Sequence, residues 1–484
     1  MSDEARREPP DVVAGGAEAG GANAGRVYQP GSAPRATVAR SVALILAIAG
    51  GAVAALLVRQ QTPIDRLPAE QSPPAAASLP AASRADETEA AIQFYRERLR
   101  RDPEETRSQN SLAELYLQRV RETGNEDYLP LALQAARDSL AAVEAAQNLG
   151  GLTALAHAEF ANHDFAAARD HALQLAQLHP GKGEPYAILA DASLELGDYG
   201  GAIEALQQLR RLDAENPGTE TRLARLAILR GDLKAAQQHF GAAITRLRNL
   251  QQPPAETIAW CHWQRGETAF SVGDSQTAEA QYREALAIVP DYFRALSSLG
   301  RLHAARGDLP AAISHYEQSV RIIPAVDSMA ALGDLYHLAG RERDAVARYE
   351  LVEQLGEHSR KVHGTPHDRH MALFYADHDF KIEESYALAR GEYDAGRHDI
   401  YGADALAWTA LKSGRIAEAK DGMEEALRLG TLDARLLYHA GMIARATGDQ
   451  AAASDYLQRA LALNAGFDPL QSRIARETLK EVRK

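Results

Sequence analysis

Hydrophobic and polar positions follow two different patterns along this chain. Between Arg40 and Arg59, eighteen consecutive residues carry no charge, whereas further on apolar and small residues recur at the spacing of one helix face. An apolar run of this length predicts a membrane-crossing helix, because a rise of about 1.5 Å per residue gives a span of about 27 Å. The recurring pattern from residue 86 onward predicts a series of amphipathic helices.

The apolar run and its flanks define three segments. Residues 1–38 are rich in glycine, alanine and proline without apolar periodicity, which predicts a disordered tail. Residues 39–59 are predicted to be a transmembrane helix acting as a signal anchor, and residues 60–85 a Pro/Ala-rich linker. A cleaved signal peptide is the alternative, because Ala52-Val53-Ala54 resembles a cleavage site, although the apolar run continues beyond it.

The flanking charges predict which side of the membrane the bulk of the chain occupies. Residues 20–40 carry three arginines and no acid, whereas residues 59–79 carry two arginines and two acids. The positive-inside rule then places the N-terminus in the cytoplasm. We therefore expect a single-pass inner-membrane protein whose C-terminal region is periplasmic or extracytoplasmic.

The remainder of the chain is one repeat copied many times. Aligned copies begin at Leu149, Gly183, Pro217, Ala259, Phe293, Val326, Ile400 and Ala434. The eighth position is always small: Ala156, Ala190, Ala224, Gly266, Gly300, Gly333, Ala407 and Gly441. The fifteenth is glycine except at His163, and the twentieth is always alanine, from Ala168 to Ala453. Most copies start 34 residues apart, a period typical of helical solenoids.

Each copy reads as a helix, a glycine-centred turn and a second helix. Small residues at the eighth and twentieth positions let the two helices approach closely. Aromatic residues four positions after the alanine, such as Tyr282 and Tyr316, are expected to fill the gap between units. Alanine occupies 94 of the 484 positions, which also favours helix. The predicted fold is therefore all-α.

The best copy, RALSSLGRLHAARGDLPAAISHYEQSVRIIP at residues 294–324, resembles the tetratricopeptide repeat (TPR). The chain is thereby identified as similar to membrane-anchored bacterial TPR proteins. The resemblance implies an α-solenoid of about ten stacked helix–turn–helix repeats, preceded by the one transmembrane helix. We expect degenerate repeats at 86–148, the main array at 149–467, and a capping helix at 468–484, which is amphipathic as a solenoid end requires.

The resemblance also implies a function and a binding surface. Stacked repeats present a concave groove that binds peptides or proteins, so we expect a membrane-anchored scaffold or adaptor, serving cell-envelope assembly, secretion or chaperone-like support. In TPR arrays the groove is lined from the first helix of each unit, at its second, fifth, ninth and twelfth positions. Carried onto this sequence, with one adjacent residue, those positions give Arg222, Arg225, Trp260, Trp263, Glu267, Arg294, Arg301 and Asp334. The alternative is that both tryptophans pack between units and the arginines pair with nearby acids.

Composition and motifs also indicate whether the chain binds nucleic acid, catalyses a reaction or binds a metal. A net charge of −13 disfavours nucleic-acid binding, and the single cysteine, Cys261, excludes a disulfide framework. The chain contains none of the common catalytic signatures, so we expect neither an enzyme nor a cofactor. The His-rich segment 358–378, with His363, His367 and His370, leaves a metal-handling or sensor protein as the alternative function, although a polar inter-repeat linker is the favoured interpretation of the segment, since Pro366 interrupts any helix between His363 and His367.

Overall fold

The computed structural model describes residues 81–363 and 368–484, all of them within one compact unit of the chain. These residues form 22 α-helices and no strand. In chain order the helices are α1 (Ala81–Arg101), α2 (Thr106–Thr123), α3 (Tyr128–Ala142), α4 (Leu149–Ala161), α5 (Phe165–Leu178), α6 (Gly183–Glu195), α7 (Tyr199–Leu212), α8 (Pro217–Leu229), α9 (Leu233–Arg248), α10 (Ala255–Ser271), α11 (Ser275–Ile288), α12 (Phe293–Ala305), α13 (Leu309–Ile322), α14 (Val326–Leu338), α15 (Glu342–His363), α16 (Arg369–Asp377), α17 (Ile382–Asp394), α18 (Ile400–Lys412), α19 (Ile416–Ala426), α20 (Ala434–Ala446), α21 (Gln450–Leu463) and α22 (Gln471–Val482).

Ten antiparallel helix pairs run from α2/α3 to α20/α21, with α1 and α22 at the two ends. Nearly every helix packs on the next along the chain, which is the arrangement of a solenoid, and α15 and α16 meet where Gly356 lies against Met371. Seven of the eight aligned copies have a helix that begins at the aligned residue; α10 begins at Ala255, four residues before Ala259. The predicted all-α solenoid is therefore confirmed.

The predicted N-terminal segments fall almost wholly outside the described residues. The tail at 1–38, the anchor at 39–59 and linker residues 60–80 are among them. The last five linker residues belong to α1, which begins at Ala81. Within residues 81–363 and 368–484, no helix combines the length and apolarity needed to cross a bilayer.

The small residues at the eighth position make room for the second helix of the same pair. A Cβ added at Gly266 would lie 2.3 Å from the ring of Tyr282, and one at Gly300 would lie 2.5 Å from the ring of Tyr316. The aromatic rings therefore fill the space inside each pair, rather than between units as the sequence suggested. The alanines at the twentieth position, such as Ala278 and Ala312, are completely buried in the same contact.

The turns inside the pairs share one local design. The fifteenth residue adopts a left-handed conformation, for example Gly197 at φ +76° and, exceptionally, His163 at φ +62°. In most pairs the next residue is an aspartate that caps the second helix; Asp198 accepts a hydrogen bond from the amide of Gly201. The turn residue and the cap together end one helix and begin the next within three residues.

The array also makes contacts that a purely nearest-neighbour solenoid lacks. Turns inside the pairs from α4/α5 to α10/α11 lie against residues about 200 positions further along, at the end of the fifth pair beyond their own. We call this line of contacts the seam. It brings together His163 with His363, Gly197 with His398, Gly231 with Gly430, and Gly273 with Leu463.

Hydrogen bonds, an ion pair and apolar packing hold the seam. The amide of Ile400 donates to the Tyr199 hydroxyl at 3.0 Å, and Asn464 Nδ2 donates to the carbonyl of Phe270 at 2.7 Å. Arg397 lies 2.8 Å from the carboxylate of Glu195. Ile400 is completely buried in an apolar cluster with residues of α6, α7 and α8. The loops of the later repeats are thereby attached to the turns of the earlier ones.

Candidate ligand-binding chamber

Residues from α8 to α22 line a cavity of about 580 Å³ that is partly open to solvent, which we call the chamber. Its wall comes mainly from the first helices of successive pairs, the positions that face the inside of a curved array. Its volume is in the range of ligand-binding cavities in proteins. Its charged lining residues are Glu267, Arg301, Asp327, Asp334, Arg369, His370, Asp377, His378, Asp404, Asp433, Arg435 and Asp468.

Three of the eight groove residues predicted from the sequence line the chamber. Glu267 on α10 forms an ion pair with Arg301 on α12 and accepts hydrogen bonds from the hydroxyls of Tyr282 and Ser298, both at 2.7 Å. The Arg301 guanidinium also stacks over the ring of Phe270 at 4.3 Å. Although burial opposes ionisation, the Arg301 charge and these hydrogen bonds lower the pKa of Glu267, so the carboxylate stays charged.

Asp334 is the third predicted residue, and it anchors a second polar cluster. Its Oδ1 accepts a hydrogen bond from the Tyr349 hydroxyl at 2.7 Å and lies 2.8 Å from Nε2 of His378, the C-cap residue of α16. Burial disfavours the charged ring, but the Asp334 carboxylate outweighs it and raises the pKa of His378 to about 9. His378 is therefore a cation at neutral pH.

A matching pair lies two helical turns away. The Asp327 carboxylate lies 3.0 Å from Nδ1 of His370, and its charge raises the pKa of His370 to about 9. Arg435 on α20 lies 3.0 Å from the carboxylate of Asp468 and 4.0 Å from that of Asp377. The chamber lining therefore combines carboxylates, guanidinium groups and charged imidazoles with apolar side chains such as Phe270, Leu373 and Phe467.

Two of the predicted arginines serve the packing between repeats. Arg222 is only 3% exposed and forms a two-pronged ion pair with Asp191 on α6, at 3.0 and 2.6 Å. Arg225 pairs with Glu195, the same carboxylate that Arg397 contacts across the seam. Neither arginine is part of the chamber wall.

The two tryptophans have different environments. Trp260 is 4% exposed and packs edge-on against Phe240, so it is a core residue rather than a groove residue. Trp263 is partly buried, donates a hydrogen bond to Ser298 Oγ at 2.9 Å and carries the Arg294 guanidinium over its ring. Neither tryptophan nor Arg294 lines the chamber. Here the alternative interpretation from the sequence, packing between units, describes the structure.

Comparisons with known proteins agree with the helix-pair architecture. Models of the tetratricopeptide repeat match residues 153–217, 264–327 and 405–466, and a second model of the same repeat matches 193–252. The chain is a tetratricopeptide repeat protein. The TPR fold is typically a non-catalytic scaffold for protein interactions.

Similar solved structures include other repeat proteins. They include the type IV pilus biogenesis factor PilW (16% identity, 44% of this chain and 94% of that chain, TM-score 0.36). MamA (22% identity, 36% and 97%, TM-score 0.29) and yeast Tom70 (13% identity, 83% and 93%, TM-score 0.35) are also similar. At such low TM-scores these likenesses carry no inference about function. A search among curated proteins finds no match.

In TPR arrays the second, fifth, ninth and twelfth positions of each first helix line the groove. Applied to the later repeats as well, these positions identify further chamber residues. Asp327, Tyr401 and Arg435 occupy the second position of their units, and Asp404 the fifth. Asp433 and Asp468 carry no such signal, because they lie in loops and cap α20 and α22 through backbone amides. Loop residues that reach the chamber depend on how the array is wound, which a single repeat does not encode.

The metal candidates do not come together in the TPR array. His363 stacks on His163 in the seam, whereas His370 pairs with Asp327 in the chamber; His367 lies outside the described residues. Within the described part of the chain, no group of three or more His, Cys, Asp or Glu side chains is placed to hold a metal ion. Cys261 is completely buried, and burial raises the pKa of its thiol, as expected of a structural cysteine.

Proposed function

We propose that this protein is an adaptor whose chamber binds a peptide segment of a partner protein. The TPR repeats support a protein-interaction scaffold in general. The observation that carries the more specific proposal is the chamber itself, because successive repeats converge on one cavity of about 580 Å³ rather than on a flat face. Its charges of both signs offer hydrogen-bonding and ionic partners to both backbone and side chains of a bound segment.

We further propose that the adaptor is anchored in the inner membrane through residues 39–59, with the repeats on the periplasmic side. The support is the eighteen-residue uncharged run and the arginine distribution around it. A role in cell-envelope assembly, secretion or chaperone-like support follows from that location. Alkaline extraction of cell membranes tests the anchor: it should leave the full-length protein in the pellet, and release into the wash contradicts anchoring.

Affinity capture of the full-length protein from its own membranes, followed by mass spectrometry, tests partner binding by the chamber. Arg301→Gln removes a charged chamber residue, and Arg306→Gln removes an arginine at the end of the same helix that is not part of the wall. We expect the partner to be lost with Arg301→Gln and retained with Arg306→Gln, with circular dichroism unchanged in both. Equal capture by both variants would place the binding surface outside the chamber.

A further inference from the structure

We infer that the segment bound in the chamber is basic, and that it places a lysine or arginine side chain among Asp377, Asp433 and Asp468. This inference names the ligand class of the site proposed above and rests on that proposal. It starts from the charges of the chamber lining, which holds seven carboxylates and five cationic side chains. The lining is acidic even though both of its imidazoles, His370 and His378, are charged at neutral pH.

Most charged residues of the lining already have an ionic or hydrogen-bonding partner. Three carboxylate–cation pairs lie within the lining, and two further residues pair with side chains outside it: Glu267 with Arg301, Asp334 with His378, Asp327 with His370, Arg369 with Asp399 and Glu392, and Asp404 with His439. These pairs leave one cation, Arg435, for the three remaining carboxylates.

Arg435 does not balance these three carboxylates. Its guanidinium lies 3.0 Å from the carboxylate of Asp468 and 4.0 Å from that of Asp377. Although burial opposes it, the charges of Asp377, Asp468 and Asp433 together raise the pKa of Arg435. Burial raises the pKa of Asp468, and the charges of Asp334 and Asp377 add to this effect, whereas Arg435 opposes it. Since neighbouring carboxylates repel one another, an additional cation among them is stabilised.

Two carboxylate oxygens of this group are available for further hydrogen bonds. Asp433 uses Oδ1 for the backbone amides of Arg435 and Leu436, at 2.8 and 3.1 Å, and its Oδ2 accepts none from the described residues. Asp377 uses Oδ1 for the indole N–H of Trp408 at 2.8 Å, and its Oδ2 lies 4.0 Å from the Arg435 guanidinium. Because the chamber is partly open to solvent, the ammonium or guanidinium of a bound segment would donate to these oxygens.

Apolar side chains beside the carboxylates suit the stem of such a cation. Phe467 directly precedes Asp468, and Leu373 and Phe374 lie one turn before Asp377; all three apolar residues line the chamber. Lysine and arginine have aliphatic stems that pack on apolar surface, and their charges are attracted to aromatic faces. A basic side chain therefore matches both parts of this lining, whereas an acidic one would bring a like charge to the carboxylates.

Model peptides measure this preference without the natural partner. The probes are short fluorescein-labelled peptides in which alanine alternates with lysine, glutamate or serine, and fluorescence anisotropy reports their binding to the full-length protein. We expect the lysine peptide to bind about tenfold more tightly than the serine peptide and to lose affinity as salt is raised, because charge attraction supplies the difference. Preferential binding of the glutamate or serine peptide, or no binding of the lysine peptide, would overturn the inference.

Two asparagine substitutions show whether this binding takes place in the chamber. Asp433→Asn and Asp468→Asn each remove one charge, while the asparagine oxygen still accepts the amide hydrogen bonds at these helix starts. We expect each of them to weaken binding of the lysine peptide about fivefold. The matched control is Asp449→Asn, because Asp449 caps α21 in the same way and is not part of the lining. It should keep the parent affinity.

Equal affinities in all three variants would mean that the lysine peptide responds to the net charge of −13 rather than to the chamber, and would overturn the inference. If circular dichroism shows that one chamber variant does not fold, the other still decides the question. The proposed function fails separately, through equal capture by Arg301→Gln and Arg306→Gln. Loss of capture with Arg301→Gln, combined with a preference for the glutamate peptide, would retain the chamber as the binding site and reject a basic ligand.

Discussion

Charged side chains of the chamber wall form ion pairs between adjacent repeats. His378 and Asp334 come from α16 and α14, His370 and Asp327 from the same two helices, and Glu267 and Arg301 from α10 and α12. Each pair joins first helices of neighbouring units. The wall is therefore pre-organised, because its side chains are already fixed before a partner enters.

The raised pKa of His378 makes stability depend on pH in a definite direction. Since the folded value, about 9, lies above the ordinary 6.5, the stabilisation is fully present below pH 6.5 and disappears as the pH rises through 9. We expect His378→Gln to lower the free energy of unfolding by about 2 kcal/mol at pH 6 and by much less at pH 10. Thermal melts across this pH range measure the difference.

His337→Gln is the matched control for that experiment. His337 lies in the last turn of α14 and pairs with Glu342 at the surface, where an ion pair contributes at most about 1 kcal/mol. Its substitution should change the melting temperature little at any pH. A loss for His378→Gln that is the same at pH 6 and pH 10 would mean that packing, rather than charge, holds the ring.

At the residue scale, the sequence identified the positions where small residues are required, but it did not show whether a large side chain such as Trp260 lies in the core or in the groove. It found Ala312 and Gly300, because helix contact requires small residues there in every copy. It placed Trp260 in the groove, whereas the structure buries it against Phe240. Which face of a helix meets a neighbour depends on the packing of three successive units, and α10 is also longer at its start than the aligned frame. A pattern read within one repeat lacks this information.

At the scale of the helix pair, glycine and a large aromatic residue are complementary. Gly266, Gly300 and Gly333 each face a tyrosine from the second helix, whereas Ala190 belongs to a pair with Leu206 at the tyrosine position. The volume that the glycine leaves is thus filled by the ring of its partner. The rule does not extend to every pair: Gly441 faces Leu457, and Ala224 belongs to a pair that carries Phe240 at the tyrosine position.

Gly300→Ala tests this complementarity. The added methyl would lie 2.5 Å from the Tyr316 ring, and we expect a loss of about 1–3 kcal/mol from overpacking. Gly241→Ala, in the helix α9 with no atom within 4 Å, should instead stabilise by about 0.5–1 kcal/mol through helix propensity. Urea unfolding of both variants gives the two values. Tyr316→Leu added to Gly300→Ala should recover part of the loss, and no recovery would contradict direct contact.

At the scale of single elements, the starts of the helices were the features that the sequence predicted best. The starts of α4, α6, α8, α12, α14, α18 and α20 coincide with the aligned copies, because glycine turns and small contact positions recur at a fixed spacing. The 22-residue α15 is longer than the second helix of the other copies, and the nine-residue α16 belongs to a pair outside the eight aligned copies. Insertions at the end of a helix change no contact position, so they leave no trace in the repeat pattern.

At the scale of the whole array, the seam adds long-range contacts to a fold otherwise built from neighbours. A repeat pattern predicts contacts between neighbouring units only, since it carries no information about units five places apart. His163 is the one visible sign: it replaces the glycine of its turn, and its ring stacks on His363 at 5.4 Å between centroids. His163, the residue that departs from the aligned glycine, thus lies at a contact between repeats that are distant in the sequence.

Tyr199→Phe tests how much the seam stabilises locally. It removes only the hydroxyl that accepts the amide hydrogen of Ile400, a completely buried residue on the far side of the seam. We expect the Ile400 amide to exchange with deuterium about ten- to hundredfold faster, consistent with about 1–3 kcal/mol for an unsatisfied buried donor. Exchange of amides in α12 should be unaffected. Unchanged exchange at Ile400 would mean that the seam is not formed in solution.

The seam also limits how this array can grow or shrink by gene rearrangement. In an open solenoid, duplication or deletion of one repeat shifts only the ends. Here the turn at Gly197 has to meet the loop at His398, after the fifth helix pair beyond its own, and Gly231 has to meet Gly430. One additional pair between them would set every turn opposite the wrong loop, so the glycines would no longer match the backbones that need them. We therefore expect the number of repeats between α4 and α22 to be held constant among relatives even where their residues diverge.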